Sequence, residues 1–171
     1  MSHKPEEFVK IAKDVLKRLR YLTVRDGNYV RGDTMKVINK KDDARKHLPR
    51  IEKACRVCAK GALFLSHIRV NDKIDMGKIL GDFHTAIVLY DEDVCQPLLS
   101  YVSQDQLDLV ETAFEMRDVG LQLADRGLGA EATQAINFGL CYLGDDKARL
   151  KAICQNIIDN EGWFKPQEEG K

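Results

Sequence analysis

The feature that most constrains this fold is the segment 54–68, ACRVCAKGALFLSHI, which is apolar on nearly every side of a helix. A helix that is apolar all round leaves no face for solvent and is buried inside its protein. We therefore predict that a helix over roughly residues 49–70 forms the centre of the fold. Along one side of it Cys58, Gly61 and Ala62 are small, which lets a second backbone approach closely.

The remaining elements are predicted to be mostly amphipathic helices that cover this centre. Over residues 5–22, Phe8, Ile11 and Val15 recur at three- and four-residue spacing, which predicts a helix with one buried face. Further helices are predicted at 75–90, at 91–102 with a break near Pro97, after Ser103, at 130–142, and after Asp145 or Asp146. The length of 171 residues suits one domain. The predicted fold is all-α, a single globular bundle of about six or seven helices over residues 1–171, around a buried central helix.

Two stretches depart from the helical pattern. Asp26 and Gly27 form a short turn signal, and β-prone residues follow at 29–30 and 35–38, so we expect a small β-hairpin near residues 24–38. Near the C-terminus, Trp163 and Phe164 precede a polar sequence. Because paired aromatic side chains bury a large area, we expect them to pin this end to the core, with residues 165–171 as a frayed tail.

The cysteines and histidines do not form a recognisable reactive site. Cys55 and Cys58 are a lone C-x2-C, no second pair follows, and the nearby histidines lack zinc-finger spacing. We therefore predict that both cysteines are small core residues and that the chain binds no metal and no cofactor. His67 and His84 match no catalytic motif, so no catalytic residue is predicted.

The net charge is zero, but the charges are unevenly distributed. Residues 1–60 hold 17 basic and 8 acidic groups, whereas residues 61–171 hold 10 basic and 19 acidic groups. Four basic residues lie at helical spacing on one side of the first predicted helix: Lys10, Lys13, Lys17 and Arg20. This basic stripe is the candidate binding site, because phosphates could lie along it. The alternative is that acidic residues around 91–93, 105–115 and 145–146 match the charge of the basic half, residues 1–60, within the chain or across a homodimer.

Three segments of the chain carry a resemblance to other proteins. They are CRVCAKGALFLSHIR at 55–69, QLDLVETAFE at 106–115 and RLKAICQNIIDNEGWFKP at 149–166, about a quarter of the chain. Together they resemble a loosely defined family of small phage-encoded proteins of unknown function, which has Gly-Gly or Asn-Gly where this chain has Glu161 and Gly162. The resemblance implies a viral accessory protein in a bacterial host cytoplasm. It carries over no catalytic residue, because the family has no established reaction.

Three functions are compatible with these observations. The leading hypothesis is a non-enzymatic phage accessory protein that binds a host or viral macromolecule, most simply a host or phage protein, to counter host defence. The first alternative is a nucleic-acid-binding protein that uses the basic N-terminal 60 residues. The second is an enzyme or nucleotide-binding protein with a pocket near His67 and His84. No stretch approaches the roughly 18 apolar residues of a membrane span, so we expect no membrane partner and a cytoplasmic location.

Overall fold

The computed structural model describes residues 3–27, 30–33, 48–49, 51–53, 55–71, 86–89, 91–117 and 121–166. The helices are α1 (Pro5–Arg18), α2 (Ala59–Asn71), α3 (Asp91–Leu98), α4 (Gln104–Glu115), α5 (Leu121–Asp125), α6 (Gly129–Leu140) and α7 (Asp146–Asp159). A 3-10 turn, Leu19–Tyr21, continues α1, and residues 48–49 and 51–53 are also helical. The strands are β1 (Thr23–Val24), β2 (Val30–Asp33), β3 (Cys55–Val57) and β4 (Ala86–Leu89).

The predicted helical bundle with a buried centre is confirmed. Residues 59–68 of α2 are all buried, as expected for a helix that offers no polar face to solvent. Helices α1, α3 and α4 pack against α2. Around this centre α1 also packs against α7, and α4 packs against α6. The basic helix α1 therefore has an inner side that faces two other helices.

The predicted helix over 49–70 is wrong where the chain forms β3. Cys55 and Val57 are buried, and Arg56 between them is exposed. This alternation is what a strand between core and solvent produces. β3 also has a neighbour on each side, β1 in parallel and β2 antiparallel, which satisfies its backbone N–H and C=O groups. The central helix consequently begins only at Ala59.

The hairpin predicted near 24–38 is not formed by the two strands found in that range. The strand order is β1-β3-β2-β4, so β3, from a later part of the chain, separates β1 from β2. Thr23 of β1 and Arg31 of β2 both lie opposite Arg56 of β3. The pairing is non-local, whereas a turn signal such as that of residues 26–27 concerns adjacent strands only. Residues 34–38 lie outside the described ranges.

The helix predicted over 75–90 is wrong at its end, where Ala86–Leu89 forms β4. β4 pairs antiparallel with β2, and Val30 lies opposite Leu89. Ile87 and Val88 are β-branched, which favours an extended backbone once a neighbouring strand is available. The other residues of that prediction are not among those described.

The helix ends follow the local signals in the sequence. Ser103 caps α4 by accepting a hydrogen bond from the Gln106 N–H at 3.3 Å, and Asp145 caps α7 by accepting one from the Ala148 N–H at 2.9 Å. α3 ends one residue after Pro97, at the predicted break. Within the ranges that the structure describes, no helix is both long and apolar enough to cross a membrane.

The C-terminal segment is held to the core up to Pro166, two residues beyond the predicted limit at Phe164. Phe164 is buried and meets Phe138 edge to face, with ring centroids 5.4 Å apart. The Asn156 side chain bonds the backbone of Lys165 twice, donating to its carbonyl oxygen at 2.8 Å and accepting from its N–H at 2.8 Å. Pro166 is buried as well. Lys165 and Pro166 thus do not belong to a frayed tail, and residues 167–171 lie outside the described ranges.

Candidate functional site

The outer face of α1 and the turn that follows it carries the basic stripe. α1 buries Phe8, Ile11, Ala12 and Val15, which turns the opposite face to solvent. All four predicted binding residues are exposed there: Lys10, Lys13, Lys17 and Arg20. Successive members are separated by three or four residues, so the row extends about 15 Å along the helix axis. The structure therefore brings the four predicted residues together on one face.

Most of the stripe is not neutralised by acidic side chains in the described part of the chain. Lys10 is the member that pairs, because its Nζ lies 2.6 Å from Glu7 Oε1 one turn earlier. That pair is exposed, so water and salt weaken it. Lys13 and Lys17 form no ion pair with any residue that the structure describes, and the Arg20 guanidinium lies against the Tyr21 ring. Among the residues described, Lys13, Lys17 and Arg20 are therefore exposed cations without a carboxylate partner.

Two carboxylates on or beside α1, Asp14 and Glu52, bind arginines on the inner side of this helix. Glu52 is buried, with its Oε2 3.0 Å from Arg18 Nη2 and its Oε1 in contact with Arg69 Nη2. Asp14 Oδ2 lies 3.3 Å from Arg69 Nη1. Arg69 belongs to α2, so this network joins α1 to the central helix. Asp14 and Glu52 therefore stabilise the packing of α1 and do not neutralise its outer face.

The acidic segment 105–115 has other partners than the stripe. Arg126 binds Asp105 and Asp108, with Asp108 Oδ2 2.7 Å from Arg126 Nη2. Lys60, buried in α2, binds Asp108 at 3.2 Å and Glu111. Lys60 belongs to the basic half of the sequence, but no stripe residue takes part in the described portion of this network. Residues 105–115 therefore neutralise Lys60 of the basic half, but the described ion pairs join none of them to the four stripe residues. Asp146 binds Arg149, and the side chains of 91–93 are not described.

Tyr21 is the surface residue that the sequence analysis missed. It is 48% exposed and lies at the end of the stripe, four residues after Lys17. The Cζ atoms of Arg18 and Arg20 lie 5.0 and 4.6 Å from its ring centroid, within the range of cation–π attraction. The spacing of four residues between Lys17 and Tyr21 places Tyr21 on the same face as the stripe, and this spacing could have identified it from the sequence.

His67 is buried and has hydrogen-bond partners in the core. Its Nδ1 lies 2.9 Å from the Tyr101 hydroxyl and 3.3 Å from Asn71 Nδ2. Burial lowers the pKa of His67 to about 4, so the imidazole is neutral near pH 7. This neutral ring joins α2 to the turn after α3. His84, its predicted neighbour in a pocket, is outside the described ranges.

The two cysteines of the C-x2-C are buried core residues, although they are not on one helix. Cys55 is on β3, and Cys58 precedes α2. Burial raises the pKa of Cys55 to about 11, and burial with the nearby charges of Glu111 and Glu115 raises the pKa of Cys58. Both therefore stay protonated near neutral pH, whereas nucleophilic attack and metal binding need the thiolate. Among the residues described, no three His, Cys, Asp or Glu side chains form a group that could hold a metal ion.

A pocket of about 470 Å³ lies between α4, α6 and residues 163–166. Its walls include Leu109, Glu131 and the half-buried Trp163, and no residue of α1. The volume is within the range of small-ligand sites. Asp105 at the edge of the pocket already forms an ion pair with Arg126, so this lining carboxylate would have to leave that partner to bind a ligand. The pocket lies at a different place from the one predicted near His67 and His84. Of the two aromatic residues expected to hold the C-terminal segment to the core, Phe164 packs against Phe138, and Trp163 lines this pocket.

The fold and this surface together define a small helical protein with a mixed four-stranded sheet and a basic outer helix face. No family model matches the chain, and no curated protein or solved structure matches it either. The relation to phage proteins therefore stays a prediction from the three sequence segments.

Proposed function

We propose that this chain is a non-enzymatic binding protein and that the outer face of α1 binds the phosphate backbone of a nucleic acid. One observation carries the proposal: Lys13, Lys17 and Arg20 are exposed and have no carboxylate partner in the described ranges, while Asp14 and Glu52 are held on the inner side of α1. A row of cations that is not neutralised attracts a polyanion, and each phosphate contact releases counterions into solution.

The side-chain partners of α1 change the order of the hypotheses. From the sequence, a protein partner ranks first and nucleic acid second, because pairing of the basic half with acidic segments of the chain is the simpler expectation. The segment 105–115 pairs with Lys60 of the basic half and with Arg126, and the described ion pairs leave Lys13, Lys17 and Arg20 without a carboxylate. The resemblance to phage proteins supports a place of action in the cytoplasm of an infected bacterium. The ligand would there be host or phage DNA or RNA, and the role that of an accessory protein.

The test is a salt-dependent binding measurement on the whole chain. Fluorescence anisotropy with labelled oligonucleotides at about 50 and 200 mM salt should show affinity that falls steeply with salt. On duplex DNA the log–log slope should be about −0.9 for each phosphate contact. The double variant Lys13→Glu/Lys17→Glu should weaken binding by about tenfold or more and make the slope shallower by about 2.

A matched control exists on α7. Lys147 and Lys151 are also exposed and four residues apart, so Lys147→Glu/Lys151→Glu changes the net charge by the same amount. These two lysines lie on α7, outside the basic stripe. We expect this variant to bind as the wild type does. Equal losses in the two double variants, or no binding by the wild type at about 50 mM salt, would contradict the proposal.

A protein partner, in the form of a second copy of this chain, is the second candidate. Leu143 is 71% exposed and Leu140 is 46% exposed, at the turn between α6 and α7. Neighbouring exposed leucines are typical of a contact surface. Sedimentation velocity should then show a dimer that Leu143→Glu converts to monomer. A wild-type chain that is monomeric throughout the concentration range would reject this candidate.

A further inference from the structure

Tyr21 is an exposed aromatic side chain in a basic surface. Of the large hydrophobic side chains in the described ranges, only Tyr21, Leu140 and Leu143 are exposed. The two leucines lie together at the far turn, whereas Tyr21 lies at the end of the basic stripe. The chain leaves the stripe through the buried Leu22 and enters β1, and Arg25 beyond it is exposed. Cationic positions therefore lie on both sides of Tyr21 along the chain.

The two arginines beside the ring differ in how firmly they are held. Arg18 is tied to the buried Glu52 by a 3.0 Å ion pair, so its guanidinium is fixed 5.0 Å from the ring centroid. Arg20 is exposed and forms no ion pair with a residue that the structure describes. Its guanidinium can therefore leave the ring and bind a phosphate. Tyr21 would then present an open aromatic face next to a phosphate-binding row.

We propose that Tyr21 stacks on an unpaired base, so that the basic stripe binds single-stranded nucleic acid in preference to duplex. This inference rests on the proposed function of the stripe. Aromatic side chains beside a positively charged track are the arrangement by which proteins hold single strands, since every base has a face to stack. In a duplex the faces of the bases are covered by their neighbours, and the Tyr21 ring has no base to contact there.

The experiment compares one single-stranded oligothymidylate with a duplex of the same length at one salt concentration, by fluorescence anisotropy. Tyr21→Leu removes the aromatic face and keeps the charge, and it should lower the single-strand affinity by about tenfold while the duplex affinity stays unchanged. Tyr21→Phe keeps the aromatic face and should bind both probes as the wild type does. Circular dichroism melts of the three proteins should coincide, because the ring is half exposed.

The outcomes separate this inference from the proposed function. If the wild type prefers the single strand and only Tyr21→Leu loses that preference, the inference is supported. Equal binding of both probes by wild type and Tyr21→Leu would leave the basic stripe as a phosphate site and overturn the stacking inference. Loss of both probes in Tyr21→Leu, or loss of the single strand in Tyr21→Phe, would also overturn it. No binding of either probe by the wild type would overturn both proposals.

Discussion

At the residue scale, the turn after α7 depends on two unusual backbone conformations. Glu161 has a φ of 54° and Gly162 a φ of 98°. Glycine and asparagine accept the left-handed region that Glu161 occupies, whereas other side chains crowd the backbone there. A Cβ on Gly162 would lie 2.6 Å from the carbonyl carbon of Pro5.

We expect Glu161→Asn to stabilise the protein by about 0.5–1 kcal/mol, because asparagine tolerates the left-handed conformation better than glutamate. Urea unfolding at neutral pH measures the difference. Gly162→Ala is the opposing variant, and it should destabilise, since its Cβ would overlap the backbone of Pro5. A loss of stability in Glu161→Asn would show that the glutamate side chain has a contact that outweighs its backbone cost.

His67 predicts a specific pH dependence of stability. Its folded-state pKa of about 4 is below its ordinary value of 6.5, so between these values the unfolded chain binds a proton that the folded chain does not. The stabilisation is complete above about pH 6.5 and decreases as the pH falls toward 4, by about 2 kcal/mol between about pH 7 and about pH 5. Urea unfolding at both pH values should show a smaller decrease for His67→Gln. An identical decrease in both proteins would assign the effect to other groups.

At the scale of elements, the contact between α4 and α6 depends on a glycine. A Cβ on Gly139 would overlap the carbonyl oxygen of Ala113 and lie 3.0 Å from Met116 Cγ. The backbones of the two helices therefore approach more closely than a side chain permits. Small residues at a close helix contact were expected on α2, at Gly61, which is buried as predicted. Gly139 is the last of three small buried residues on α6, Ala132, Ala135 and Gly139, at three- and four-residue spacing, so the sequence did hold a signal for this contact.

Gly139→Ala should destabilise the protein by about 1–3 kcal/mol, despite the better helix propensity of alanine, because α4 and α6 must move apart. Gly129→Ala on the same helix is the matched control. Its Cβ would meet Ala124 at 3.7 Å, an ordinary contact, so we expect no loss and a gain of up to about 1 kcal/mol. Thermal and urea unfolding of both variants measure the difference. Equal stability of the two would mean that α4 and α6 adjust without cost.

At the scale of the whole molecule, α1 has separate structural and binding sides. Its inner side is joined to α2 by Arg18, Glu52 and Arg69, and its outer side carries the stripe.

Glu52→Gln removes the buried charge that binds two arginines, and it should lower stability by about 1–3 kcal/mol. Lys13→Glu/Lys17→Glu should change stability by about 0.5 kcal/mol or less while it weakens nucleic-acid binding by about tenfold or more. Unfolding and anisotropy on both proteins measure this separation, and a large stability loss in the lysine variant would contradict it.

The local patterns of the sequence were sufficient for several features of this protein. The apolar character of residues 59–68 predicted the buried helix, and Ser103 and Asp145 predicted two helix starts through their own hydrogen bonds. The spacing of Lys10, Lys13, Lys17 and Arg20 predicted an exposed row, because residues three and four apart share a helix face. Each of these depends on residues within a few positions of one another.

Other features were decided only by the tertiary structure. β3 is a strand because β1 and β2 lie on either side of it, and no pattern within residues 55–57 identifies those partners. The ion pairs were also decided by the tertiary structure, because they join residues that are distant in the chain. Glu52 is bound by Arg18 and Arg69, and the acidic segment 105–115 is bound by Lys60 and Arg126. The sequence alone determined which faces are apolar or basic, since that follows from local periodicity. The fold decided which charges are neutralised and which remain free to bind, because pairing depends on distances in space.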